Sequence, residues 1–123
     1  VIDALLGAAN LGDIGRHFPA GKDEFHDVSS ISLLGKVKEM LNKGGWEIGN
    51  IDANVIVGQP KLSGTIKNMQ IKLSEALAVV PGKISIKAKT GNGLGAVGRC
   101  EGIAAQAIAL IYRVPHKNEK RKL

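Results

Sequence analysis

The sequence predicts an α/β fold, a two-layer sandwich with helices on one face of a sheet. Three observations carry this. The segments 29–43 and 65–78 place apolar residues at helical spacing, with charged residues between them. The run Ile84-Ser85-Ile86-Lys87-Ala88 alternates as a half-buried strand does. Trp46 to Val57 is an extended segment with Ile51, Ala53, Val55 and Val57 on one face.

In chain order, Val1 to Asn10 places Ile2, Leu5, Leu6 and Ala9 on one helical face. No N-cap precedes it, so it reads as the second half of a helix whose beginning lies upstream. Leu11-Gly12-Asp13-Ile14-Gly15 breaks the pattern, and Asp13 can present its carboxylate on that turn. Arg16-His17-Phe18-Pro19 ends the section, and Ala20 to Val28 is polar and reads as a loop. Ser29 and Ser30 are N-cap residues for the next helix, because a hydroxyl can accept from a free first-turn N–H. Leu33, Leu34, Val37, Met40 and Leu41 form its apolar face, and Gly44-Gly45 stops it. Gly58 to Leu62 is a turn, since Pro60 cannot donate within a central strand. Ile66, Met69, Leu73 and Leu77 mark a helix from about Thr65 to Ala78, and Pro81-Gly82 leads into the strand at Ile84. The apolar run Gly102 to Tyr112 fits a helix or a strand equally by pattern.

At 123 residues and 12.9 kDa the chain is expected to form one domain, residues 1–115, followed by a basic tail, residues 116–123. One Trp, one Tyr and two Phe leave the core to Ile, Leu, Val and Ala. Much of the net charge of +6 sits at that end, where Arg113, His116, Lys117, Lys120, Arg121 and Lys122 cluster, with no aromatics interleaved among the remaining lysines, which disfavours nucleic-acid binding. A single cysteine, Cys100, forms no internal disulfide and fits a reducing compartment. No apolar run reaches membrane-spanning length and no signal peptide is visible. The chain starts without Met, which reads as a processed or truncated product.

The strand at Ile84 feeds a glycine-rich turn carrying Thr90, Asn92 and Arg99, a setting that suits phosphate because bare backbone N–H groups can converge on an anion. Gly93-x-Gly95-x-x-Gly98 spells the dinucleotide fingerprint, but four residues separate Ala88 from Gly93, and only 25 residues remain beyond Gly98, the last of them a basic tail, so no second strand can complete a βαβ unit. Each polar residue also has an ordinary structural reading. Asp13 can brace its turn, Lys61 can be a solvated surface cation, Thr90 a turn hydroxyl, and Arg99 with Glu101 an interface salt bridge. Cys100 reads as a small packed residue. His17, His26 and His116 show no metal-ligand spacing and are expected to be solvent-exposed.

Taken together, LLGAANLGDIGRHFP (Leu5 to Pro19), GNIDANVIVGQPKL (Gly49 to Leu62) and the stretch from Ile84 to Ile111 resemble 2-C-methyl-D-erythritol 2,4-cyclodiphosphate synthase. The resemblance runs through nearly the whole chain in the right order. It implies a mixed sheet, a last apolar run that is a strand, and a homotrimer with active sites between subunits. The implied reaction cyclises 4-diphosphocytidyl-2-C-methyl-D-erythritol 2-phosphate with release of CMP, in the bacterial cytoplasm or a plastid. By the same resemblance Asp13, Ile14 and Gly15 contact sugar hydroxyls, and a carboxylate suits a diol because it accepts two O–H donors. Phe18 lines that pocket, and Pro60, Lys61 and Leu62 hold the cytosine and its phosphates. Thr90 stabilises the phosphorus transition state, where a hydroxyl aimed at developing charge gains most. Arg99 lies near the trimer axis, where the family can hold a prenyl diphosphate, and its fork donates bidentately.

The departures are specific. Ala20, Gly21 and Lys22 follow Phe-Pro where the family has acidic residues, and Lys89 and Asn92 stand where it has threonine and glutamate. Neutral Asn92 is a poorer ligand for the magnesium or manganese that the glutamate helps hold. The family's zinc-binding Asp-x-His and third histidine fall upstream of Val1, so the resemblance implies a zinc enzyme while this chain alone is expected to be inactive. A non-catalytic fragment that binds nucleoside or prenyl phosphates is the alternative.

Overall fold

The computed structural model describes residues 1–19, 29–58, 64–89, 95 and 102–114. In chain order the elements are α1 (Ile2–Ala8), α2 (Ile14–His17), α3 (Ser30–Lys43), β1 (Trp46–Val57), α4 (Ile66–Leu77), a 3₁₀ turn at Pro81–Lys83, β2 (Ile84–Lys89) and β3 (Ile103–Arg113). The three strands form one sheet in the order β2-β1-β3. β1 runs parallel to β2 and antiparallel to β3, so the sheet is mixed.

The helices are bounded by the chemistry expected of them. Ser29 caps α3, its hydroxyl accepting from Ser32 N at 3.1 Å. α1 is closed by Asn10 at φ 59, with Leu11 N–H donating back to Leu6 O at 2.8 Å. Asn takes this left-handed conformation at little cost because its short amide can bond locally. α4 ends in the same way at Ala78, φ 54, with Val79 N–H donating to Ser74 O at 3.0 Å. Gln70 then donates to Pro81 O (2.7 Å) and Ile84 O (2.8 Å), so the end of the crossover is fastened to the start of β2.

The core lies between the helices and one face of the sheet. Leu5 and Leu6 of α1, Leu34, Val37 and Leu41 of α3 and Leu77 of α4 pack with Ile48, Ile51 and Ile84. α1 lies on β3, α3 on β1 and α4 on β2, so each strand has its own helical cover. Register explains the inward set, since Ile51 pairs with Ile84 on one side and Ala109 on the other. A bulge between Ile48 and Asn50 permits this alignment, and a Cβ at Gly49 would stand 3.1 Å from Leu110 O.

The opposite face has no helical cover among the described residues. Ile108 and Leu110 are 77% and 61% exposed there. Between them and β2 runs a polar band, in which Asn54 pairs across the strands with Gln106, and Asp52 and Lys87 form an ion pair. Asn54 Oδ1 is buried in this band and has no hydrogen-bond partner among the described residues.

The α/β sandwich with a mixed sheet and helices on one face is therefore the architecture, and the ambiguous last run is the strand β3. Two expectations need correction. The segment after Asp13 is a short helix rather than an open turn, because Asp13 caps it. His17 is half-buried, its Nε2 lying 2.6 Å from Leu11 O, since the bend folds the imidazole back over the chain that enters it. No helix among the described residues is long and apolar enough to cross a membrane.

Candidate functional site

Asp13, Ile14, Gly15 and Phe18 come together in the bend that joins α1 to α2. Gly12, at φ +94, turns the chain where a side chain would be strained and would meet Arg16 Cδ at 2.7 Å. Asp13 is extended and caps α2, its Oδ1 accepting Arg16 N–H at 2.9 Å. That bond uses one carboxylate oxygen. Oδ2 has no hydrogen bond among the described residues, and Asp13 and Gly15 are both exposed. The capping role read as the ordinary alternative is thus real, and it leaves acceptor capacity toward solvent. Phe18 closes the bend, packed against the core and tilted against the His17 ring at 6.4 Å between centroids.

One contact from outside the bend was not legible in the sequence. Asp3, on the first turn of α1, accepts Ile14 N–H on its Oδ1 at 2.7 Å. The two residues are far enough apart in sequence that no local spacing rule pairs them. Beside this bond lies a cleft of about 410 Å³, lined in part by Ile2, Asp3, Ile14, Ile31 and Leu73. Among the described residues that line it Asp3 bears the one charged side chain and most of the others are apolar, so the cleft suits an apolar group rather than a phosphate.

Lys89 is the last residue of β2 and exposed. It lies on the edge strand of the sheet on the other side of β1 from β3, the strand that α1 covers. Ile56 pairs with Lys89 and Val57 with Ile103, which puts the ends of β1 and β2 and the start of β3 at one end of the sheet. The segments carrying Pro60, Lys61, Leu62, Thr90, Asn92 and Arg99 are attached at that end, and these six residues lie outside the described ones, as do Cys100, Glu101, His26 and His116. The described residues do not fit the implied zinc, since no three His, Cys, Asp or Glu side chains converge among them.

The chain is 47% identical over 113 residues to the 2-C-methyl-D-erythritol 2,4-cyclodiphosphate synthase of Pelotomaculum thermopropionicum, covering 92% of this chain and 70% of that one. It is 46% identical over 112 residues to the bifunctional enzyme IspD/IspF of an Anaeromyxobacter species, covering 91% of this chain but 29% of the relative. Among solved structures, the bifunctional IspDF of Campylobacter jejuni superposes with a TM-score of 0.88 at 34% identity, over 92% of this chain and 31% of that one. An IspF of Plasmodium falciparum, solved as a CDP complex, gives 0.79 at 33% identity over 91% and 67%. The chain therefore spans less than a third of its bifunctional relatives and about two thirds of the shorter ones. The YgbB family pattern matches residues 1–112, nearly the whole of the described structure, and the chain belongs to that family.

Proposed function

We propose that this chain is the substrate-binding part of a 2-C-methyl-D-erythritol 2,4-cyclodiphosphate synthase. The reaction cyclises 4-diphosphocytidyl-2-C-methyl-D-erythritol 2-phosphate and releases CMP, in the bacterial cytoplasm or, in a eukaryote, a plastid. The observation that carries the reading is the Asp13 bend, an exposed carboxylate with one oxygen committed to the cap of α2 and the other open to a diol. Gly15 offers backbone without a side chain beside it, Ile14, whose N–H and C=O are engaged by Asp3 and Phe18, offers its exposed side chain, and Phe18 supplies the apolar wall. Lys61, with Pro60 and Leu62, takes the phosphates and cytosine, Lys89 and Asn92 flank them, and Thr90 faces the reacting phosphorus.

The assembly is a homotrimer. The uncovered sheet face supports this, with Ile108 and Leu110 exposed and Asn54 Oδ1 without a partner among the described residues, a combination that a neighbouring subunit can bury and satisfy. Separation of Asp13 and Lys89 across the sheet fits a site shared between subunits, each giving one half. Arg99 faces the central axis, where a prenyl diphosphate binds. Residues 1–115 form the catalytic domain and 116–123 a basic tail. Zinc, with magnesium or manganese, polarises the phosphates when bound. Among the described residues no three His, Cys, Asp or Glu donors converge. The second reading for the 123 residues alone is a fragment that binds nucleoside or prenyl phosphates without turnover.

Titration of the chain with CDP by calorimetry tests the proposal. Binding that Asp13→Ala weakens several-fold supports it, and an absence of CDP binding by the unsubstituted chain refutes it.

A further inference from the structure

Leu11 and Phe18 anchor the bend at its two ends by packing against the core, and between them no residue of the short helix α2 is buried. Its internal hydrogen bonds, Asp13 Oδ1 with Arg16 N–H and His17 Nε2 with Leu11 O, shape the bend, and the second ties its end back to core-packed Leu11. Among the described residues the one hydrogen bond that reaches the Gly12–His17 backbone from another element comes from Asp3. Asp3 stands on α1, whose Leu5 and Leu6 are fully buried, so its carboxylate is held by a rigid support. Loss of that bond removes the hydrogen bond that fixes the middle of the bend to α1.

We propose that Asp3 is a positioning residue. By fixing the Ile14 N–H it holds the open Asp13 oxygen and the Gly15 backbone in one orientation toward the vicinal diol of a nucleoside diphosphate, and this rests on the binding role given to the bend above. A charged acceptor is not required for this task. An amide oxygen at the same place accepts the same N–H, whereas a methyl group leaves it unpaired.

The experiment compares the 123-residue chain with Asp3→Ala and Asp3→Asn, reading CDP affinity by calorimetry and hydrogen exchange of the Ile14 amide by NMR. Asp3→Ala is expected to weaken CDP about tenfold, the cost of one lost charge-assisted hydrogen bond, and to speed Ile14 exchange. Asp3→Asn is expected to stay within about twofold on both readouts. Equal CDP affinity in Asp3→Ala and the parent chain overturns the proposal, as does unchanged Ile14 exchange. An Asp3→Asn chain as weak as Asp3→Ala also overturns it, because the charge and not the hydrogen bond would then matter. Failure of the parent chain to bind CDP refutes the underlying role of the bend, and is told apart because loss of the Asp3 role alone leaves parental binding intact.

Discussion

Lys87 of β2 reaches diagonally across the uncovered face to Asp52 of β1, its Nζ standing 2.9 and 3.0 Å from the two carboxylate oxygens. The Cα partners are offset, Asp52 opposite Ser85 and Asn54 opposite Lys87, so the pair bridges two rungs of the parallel ladder. In a lone subunit both side chains are nearly half exposed. Lys87→Ala should then cost at most about 1 kcal/mol of subunit stability. Under a neighbouring subunit the same change strands a buried carboxylate, a loss of order 3–5 kcal/mol. Sedimentation equilibrium paired with chemical denaturation separates the two. Lys87→Ala is expected to dissociate the assembly at concentrations where the parent chain remains associated.

Ile108→Lys tests the same face from its apolar side. This residue contacts little in the lone subunit, being 77% exposed, so its replacement should leave the circular dichroism and thermal midpoint of the subunit almost unchanged. A cation at the centre of a sheet-to-sheet contact is expected to abolish association. An assembly of unchanged mass would count against this face as the subunit interface.

Leu41→Ala should act in the opposite way. Leu41 is fully buried at the C-terminal end of α3, in the cluster that ties α1, α3 and α4 to the sheet. Removing its side chain should destabilise the subunit by about 2–5 kcal/mol, read as an earlier urea midpoint.

Lys61→Ala should weaken CDP by an amount of order 1.5–3 kcal/mol through loss of a charge-assisted phosphate contact. Calorimetry reads this directly, and unchanged affinity would return Lys61 to the solvated surface.

The 123-residue chain is expected to bind less than one equivalent of zinc and to form negligible cyclic diphosphate. Adding an upstream segment with Asp-x-His and a third histidine should recover both together, since one ligand set underlies both. Metal analysis alongside a CMP-release assay decides it, and full turnover by the 123 residues alone would refute the expectation.

The elements with strong periodicity were readable from the chain itself. Trp46–Val57 is a strand over the expected span, and Ser29 caps α3 as its hydroxyl foretold. Ile103–Arg113 was not decided by pattern, because its alternate alanines face the core beneath α1 while Ile108 and Leu110 face away, leaving both faces apolar. That ambiguity arises from a surface whose apolar character the lone subunit does not explain. In the bend, Asp13 was singled out by its place in LGDIG, and its cap of α2 by its place before Ile14. Asp3 and His17 were missed because the bonds they make depend on how the chain turns at Asn10 and Gly12, which no residue pattern specifies.

The strand order also governs how the chain reaches its fold. β1 is the central strand, yet its neighbour β3 is synthesised after α4 and β2, and their pairing joins Trp46 to Arg113. α3, β1, α4 and β2 can assemble first around a parallel pair, while one edge of β1 keeps its N–H and C=O groups unpaired until β3 arrives. Closure of so long a loop is slow relative to helix formation. A nascent chain halted before Ile103 therefore displays an open strand edge containing Ile48, Ile51 and Val57, and chaperone demand and inclusion-body formation should concentrate at that stage of synthesis.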